Sequence, residues 1–169
     1  VWRIPAHIEQ HIVAAAPAGW EVIVVPTDTV SDGDGGHAPS PELLEAIATA
    51  EVYFGFGITE RLFAAAPQLR WVQSATAGVG SALFPAMRAS EVVLTNSAGV
   101  HAVPMAEYVI AGLLHFWRGL DVAIEQQARA AWDRAFYIAA DTPVREVGES
   151  TVLIIGAGGI GAALATRLS

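Results

Sequence analysis

Residues 151–169 constrain the fold more than any other part of the chain. An apolar run, Thr151-Val152-Leu153-Ile154-Ile155, leads directly into Gly156-Ala157-Gly158-Gly159-Ile160-Gly161. That is the order of a strand, a G-x-G-x-x-G turn and a helix. Gly156 allows the tight turn, Gly158 lets the backbone approach a pyrophosphate, and Gly161 lets the helix lie close to the strand. Gly159 and Ile160 belong to the first helical turn, whose amides face the phosphates. Beyond it, Ile160, Leu164 and Leu168 recur at i, i+4 and i+8, the spacing of a buried helix face. The stretch reads as a dinucleotide-binding turn, with a glycine-tightened structural turn as the alternative.

A strand with no polar alternation is the kind buried on both faces of a parallel sheet. Dinucleotide-binding units carry a second strand, and their ribose-binding acid lies about 20 residues past the glycines. Within 169 residues the covering layers for this strand and helix are missing. Leaving those side chains in water would forfeit about 10 to 20 kcal/mol as an upper bound. The chain is therefore expected to be part of a longer protein.

Charge and composition narrow the partners. Seventeen acidic against nine basic residues give a net charge of -8, which argues against nucleic acid and anionic membranes. The absence of cysteine removes disulfides, thiol nucleophiles and cysteine metal sites. The most apolar stretch, 103–120, carries Glu107, His115 and Arg118, so it reads as a core or interface helix and not as a membrane span. A soluble, cytoplasmic protein is expected.

Along the chain, short apolar runs alternate with helical segments. Strands are expected at 1–4, 21–25, 52–54, 70–73 and 92–95. Helices are expected at 6–16, from the Ser40-Pro41 start through 50, and from a Thr59 cap to Pro67. This alternation predicts an α/β fold with a doubly wound parallel sheet. A single long helix is expected over 103–130, apolar on several faces and so in need of more than one packing surface. An arm over 131–149 carries Trp132, Phe136 and Tyr137, side chains costly to leave in water. Helix and arm together predict a homodimer.

The turn Ala77-Gly78-Val79 follows the carboxyl end of an expected strand, where open α/β sheets bind ligands. Consecutive amides in such a turn can form an anion nest, with Gly78 expected at positive φ. An ordinary strand-to-helix turn is the alternative.

Four segments carry a family resemblance: Leu69-Arg70-Trp71-Val72-Gln73-Ser74 leading into Ala77-Gly78-Val79; Thr95-Asn96-Ser97-Ala98-Gly99-Val100-His101; Met105-Ala106-Glu107-Tyr108 with Arg118 further along; and the glycine turn. In this order and spacing the chain resembles the N-terminal portion of a D-isomer-specific 2-hydroxyacid dehydrogenase of the glyoxylate and hydroxypyruvate reductase type. The resemblance implies a flavodoxin-like substrate domain at 1–96, followed at 97–169 by the start of a Rossmann NAD(P)-binding domain. It implies a dimeric oxidoreductase using NAD or NADP, acting on a small D-2-hydroxy acid or reducing a 2-oxo acid such as glyoxylate or hydroxypyruvate. By the same resemblance the amides of Ala77, Gly78 and Val79 hold the substrate carboxylate. Gly156, Gly158, Gly159, Ile160 and Gly161 hold the cofactor, and Met105 abuts the nicotinamide, with a core role as its alternative.

The family's arginine, acid and histidine lie beyond the glycine turn and have no counterpart here, so no catalytic residue is assigned. His101 reads as a cap or a residue behind the site. A non-catalytic dinucleotide-sensing or oligomerisation module of the same architecture is the alternative from another class.

Other chemistry finds little support. Phe54-Gly55-Phe56-Gly57 is open to two readings, pocket lining or packing. His7 and His11 share a helix face without a third ligand, and Asp32-Gly33-Asp34-Gly35-Gly36 lacks the closing Glu of a calcium loop, so no metal site is expected. No G-x-S-x-G nucleophile elbow is present.

Overall fold

The computed structural model describes residues 6–25 and 38–169, in two compact units, Val1–Ala98 and Gly99–Ser169. The strand expected at 1–4 and the glycine-rich segment 32–36 lie outside the described residues.

In the first unit three strands, β1 (Val52–Gly55), β2 (Trp71–Ser74) and β3 (Val93–Thr95), form a parallel sheet in the order β1-β2-β3. Val52 faces Trp71, which in turn faces Val93. Among the described residues, helices α1 (Ala6–Ala15), α2 (Pro41–Ile47), α3 (Glu60–Ala64) and α4 (Pro85–Ala89) accompany them. The α/β class and parallel pairing agree with the sequence pattern, because parallel neighbours require crossover connections of the kind α3 and α4 supply. Ser40 and Thr59 cap α2 and α3, each accepting a backbone N–H, from Leu43 and Leu62 respectively, at 3.2 Å. Val72 on the central strand is fully enclosed, with Ile47, Ile58, Leu62, Leu69 and Met87 closing the core around it.

Among the described residues, one expected strand has no partner. Residues 21–25 pair with no other described segment, and Ile23 and Val24 are exposed. Apolar β-branched residues favour extension, but a strand exists only where a neighbour supplies hydrogen bonds, and none of the described segments does so.

The second unit is helical: α5 (Ala102–Trp117), α6 (Leu120–Ala128), α7 (Ala135–Ile138) and α8 (Gly159–Leu168). The single helix expected over 103–130 is two helices, because Gly119 adopts a left-handed φ of 64° between them. A Cβ there would lie 2.9 Å from ring carbons of both Phe136 and Tyr137. The arm folds back onto this break, where the Tyr137 hydroxyl donates to the Gly119 carbonyl at 2.8 Å and the Arg145 amide to the Trp117 carbonyl at 2.9 Å. Phe136 and Tyr137, expected to face a second subunit, are therefore half-buried within their own chain, whereas Trp132 is 89% exposed.

Helix α8 packs along α5, with Leu164 and Ala106 buried and Arg167 paired to Glu107 at 3.4 Å. The strand expected at 151–155 pairs with no described segment: Val152 and Ile154 are half-buried, but Ile155 is 92% exposed.

Candidate functional site

Two candidate sites lie one in each unit. In the first, residues 75–79 leave the carboxyl end of β2 and enter a 3-10 turn at Gly80–Ala82. Every carbonyl from Thr76 to Gly78 is engaged. That of Thr76 accepts from the Ser97 amide at 3.0 Å, that of Ala77 from Asn96 Nδ2 at 2.7 Å, and that of Gly78 from the Thr76 hydroxyl at 2.6 Å. Among the described residues the amides of Ala77, Gly78 and Val79 have no protein acceptor. All peptides here are trans, and in a planar trans peptide the N–H points opposite to the C=O. Each tethered carbonyl thus turns the next residue's amide away from its tether. Ala77 and Gly78 are exposed, so the loop offers unpaired donors at a strand end, a surface suited to a carboxylate.

Gly78 was expected at positive φ and lies outside the left-handed region. The turn is shaped by its hydrogen bonds and not by glycine strain. An open pocket of about 480 Å³ adjoins it, lined by Val79, Leu83, Leu94, Thr95 and Asn96. Phe54 to Gly57 do not line that pocket. The Gly55 carbonyl instead accepts from the Ala75 amide at 2.7 Å, which ties the end of β1 to the start of the loop. Burial pushes the Tyr53 hydroxyl above its ordinary pKa, so it stays protonated and serves no base role.

The glycine turn of the second unit is built differently. Gly156 has φ of 100°, a conformation that strains any side chain. A Cβ on Gly161 would overlap the Gly156 carbonyl oxygen and stand 3.3 Å from Ile154 Cγ2. A Cβ on Gly159 would touch Ala102 Cβ at 3.5 Å. Gly158, at the N-cap of α8, has open space over it, and no side chain caps the helix. The first-turn amides at Gly159, Ile160 and Gly161 have no partners within the helix. This uncapped, uncrowded terminus fits a dinucleotide pyrophosphate.

Met105 lies one helical turn beyond Ala102 in α5 and is half exposed. His101 occupies the N-cap of α5, but its side chain makes no capping bond; its carbonyl accepts from the Met105 amide. Thr76, Ser74 and Asn96 escaped the sequence reading as site residues. The signal available was the density of short polar residues at two adjacent strand ends, Ser74-Ala75-Thr76 and Thr95-Asn96-Ser97.

His7 and His11 stack edge to face at 6.2 Å, and among the described residues no cluster of three His, Asp or Glu could hold a metal ion. No described helix is long and apolar enough to cross a membrane.

Residues 15–165 match the family model for the D-isomer specific 2-hydroxyacid dehydrogenase catalytic domain. The chain is similar to a solved D-isomer specific 2-hydroxyacid dehydrogenase family protein from Aeromonas salmonicida, at 28% identity and TM-score 0.69, over 96% of this chain and 46% of that one. A family protein from Klebsiella pneumoniae is similar at 29% identity and TM-score 0.57, over 73% and 38%. D-lactate dehydrogenase from Aquifex aeolicus, solved with NAD and lactic acid, shares the fold at 18% identity and TM-score 0.60, over 74% and 37%. The chain spans less than half the length of each of these. No curated protein matches it.

Proposed function

The chain belongs to the D-isomer specific 2-hydroxyacid dehydrogenase family, and on that premise we propose that its first unit binds the carboxylate of a small 2-oxo acid while its second unit begins the site for NAD or NADP. When bound, the nicotinamide would supply a hydride to the 2-carbon, and with a proton from a donor not assigned in this chain the 2-oxo acid would become the 2-hydroxy acid, of D configuration where the product is chiral. Glyoxylate and hydroxypyruvate are the proposed substrates. The observation that carries this reading is the set of unpaired amides at Ala77, Gly78 and Val79, whose neighbouring carbonyls are all tied back. Amide bonds to a charged oxygen contribute roughly 1.5 to 3 kcal/mol each, so a few of them suffice to select a carboxylate. Gly156 to Gly161 hold the pyrophosphate, with Met105 toward the nicotinamide. No residue of this chain is assigned to proton transfer.

The deciding experiment follows absorbance at 340 nm while the full-length protein meets NADH or NADPH with glyoxylate or hydroxypyruvate. Oxidation of either cofactor is expected. Tight cofactor binding with no oxidation by either acid would favour a sensing module and overturn the substrate assignment.

A homodimer through α5 and the arm is also proposed, supported by the exposure of Tyr108, Phe116 and Trp132. A monomer by light scattering at micromolar concentration would contradict it.

A further inference from the structure

We infer that Thr76 is the positioning residue that turns the Val79 amide toward the substrate carboxylate; this rests on the carboxylate reading of residues 77–79. The direction of each hydrogen bond follows from elementary chemistry. A carbonyl only accepts, so the single Thr76 hydroxyl proton goes to the Gly78 oxygen, at 2.6 Å. The contact between Ser74 Oγ and Thr76 Oγ1, at 2.8 Å, is then donated by Ser74. The Thr76 amide closes the ring by donating to Ser74 Oγ at 3.3 Å. Ser74 is almost completely enclosed, so the Ser74 end of this network is shielded from water, while the Thr76 bond to Gly78 is exposed.

The three peptide planes of the loop have three different holders. The 76–77 plane is held by the Ser97 amide and the 77–78 plane by Asn96. The 78–79 plane is held through the Gly78 carbonyl by Thr76 alone. Packing offers no substitute, since nothing lies within 4 Å of where a Gly78 Cβ would sit. Glycine is also the residue at which rotation of an adjoining peptide plane meets least resistance. Without the Thr76 hydroxyl, the 78–79 plane is free to turn its N–H away from the ligand.

The test uses the full-length enzyme with glyoxylate as the probe. Thr76→Val removes the hydroxyl at nearly constant shape, and Thr76→Ser keeps it. The expected result is a glyoxylate KM raised about tenfold in Thr76→Val, a change of about 1.4 kcal/mol, with the NAD(P)H KM unchanged. Thr76→Ser should restore the wild-type value. In amide NMR spectra, glyoxylate should shift the Val79 resonance in the wild type and in Thr76→Ser but not in Thr76→Val.

A glyoxylate KM untouched by Thr76→Val, or raised equally by Thr76→Ser, overturns the positioning role. Should Thr76→Val fail to fold, Thr76→Ala is read by the same two outcomes. A wild-type Val79 resonance indifferent to glyoxylate overturns the carboxylate reading and the role of Thr76 together.

Discussion

The turn at 156–161 is held by its glycines, whereas the loop at 75–79 is held by the polar side chains around it. In the first, Gly156 sits at φ 100° and a Cβ on Gly161 has no room, while no side chain caps the helix that follows. In the second, Gly78 is neither left-handed nor crowded, and Thr76, Asn96 and Ser97 tie the carbonyls. Both arrangements leave backbone amides unpaired. The contrast teaches that a turn with unpaired amides can be specified by what is absent at its own positions or by what its neighbours donate.

Breaking the first kind of turn should have the largest effect. Gly161→Val places a branched side chain against the Gly156 carbonyl and Ile154, and backbone cannot yield as a flexible side chain does. The expected cost is about 3 kcal/mol, the upper end for overpacking, together with loss of NAD(P)H binding. Thermal unfolding and a cofactor fluorescence titration on the full-length protein would show it. Wild-type stability in this variant would mean that the turn is not closed as described.

Gly156→Ala should cost less, about 1 to 2 kcal/mol, because the penalty is a left-handed conformation and not an overlap. Cofactor affinity should fall with it while glyoxylate binding in the other unit stays as it was. An equal loss at both ligands would mean that the two turns do not act separately.

These differences explain what the sequence could tell. The glycine turn was legible because its requirements are local: missing side chains at three fixed offsets leave a pattern in the letters. The caps at Ser40 and Thr59 were legible for the same reason, each bond reaching only three residues along. The holding of the Thr76 and Ala77 carbonyls by Ser97 and Asn96 was not, because the parallel pairing of β2 with β3 brings these residues from 19 and more positions away. The bonds of Thr76 reach only two residues, but no fixed spacing of letters marks them.

Strand pairing is equally non-local. The runs at 21–25 and 151–155 have strand composition, yet pairing is a property of the neighbour, and none of the described segments pairs with either. The split of the long helix was within reach, since Gly119 interrupts an apolar run, but its crowding by Phe136 and Tyr137 belongs to the folded arm. That contact also moved two aromatics from the expected subunit interface into the chain's own packing.

The smallest effect is expected at Gly78, and it decides the comparison most sharply. With no left-handed φ to maintain and nothing within 4 Å of the new Cβ, Gly78→Ala should meet no strain. Alanine also restricts the unfolded chain, so stability should be unchanged or raised by about 0.4 to 1 kcal/mol. Ligand binding follows a different rule, because the Cβ would occupy the open face beside the amides where a carboxylate would sit. Glyoxylate KM should therefore rise while the melting temperature and NAD(P)H affinity hold. A melting temperature lowered as far as by Gly156→Ala would show that this loop also depends on glycine, and the distinction between the two turns would collapse.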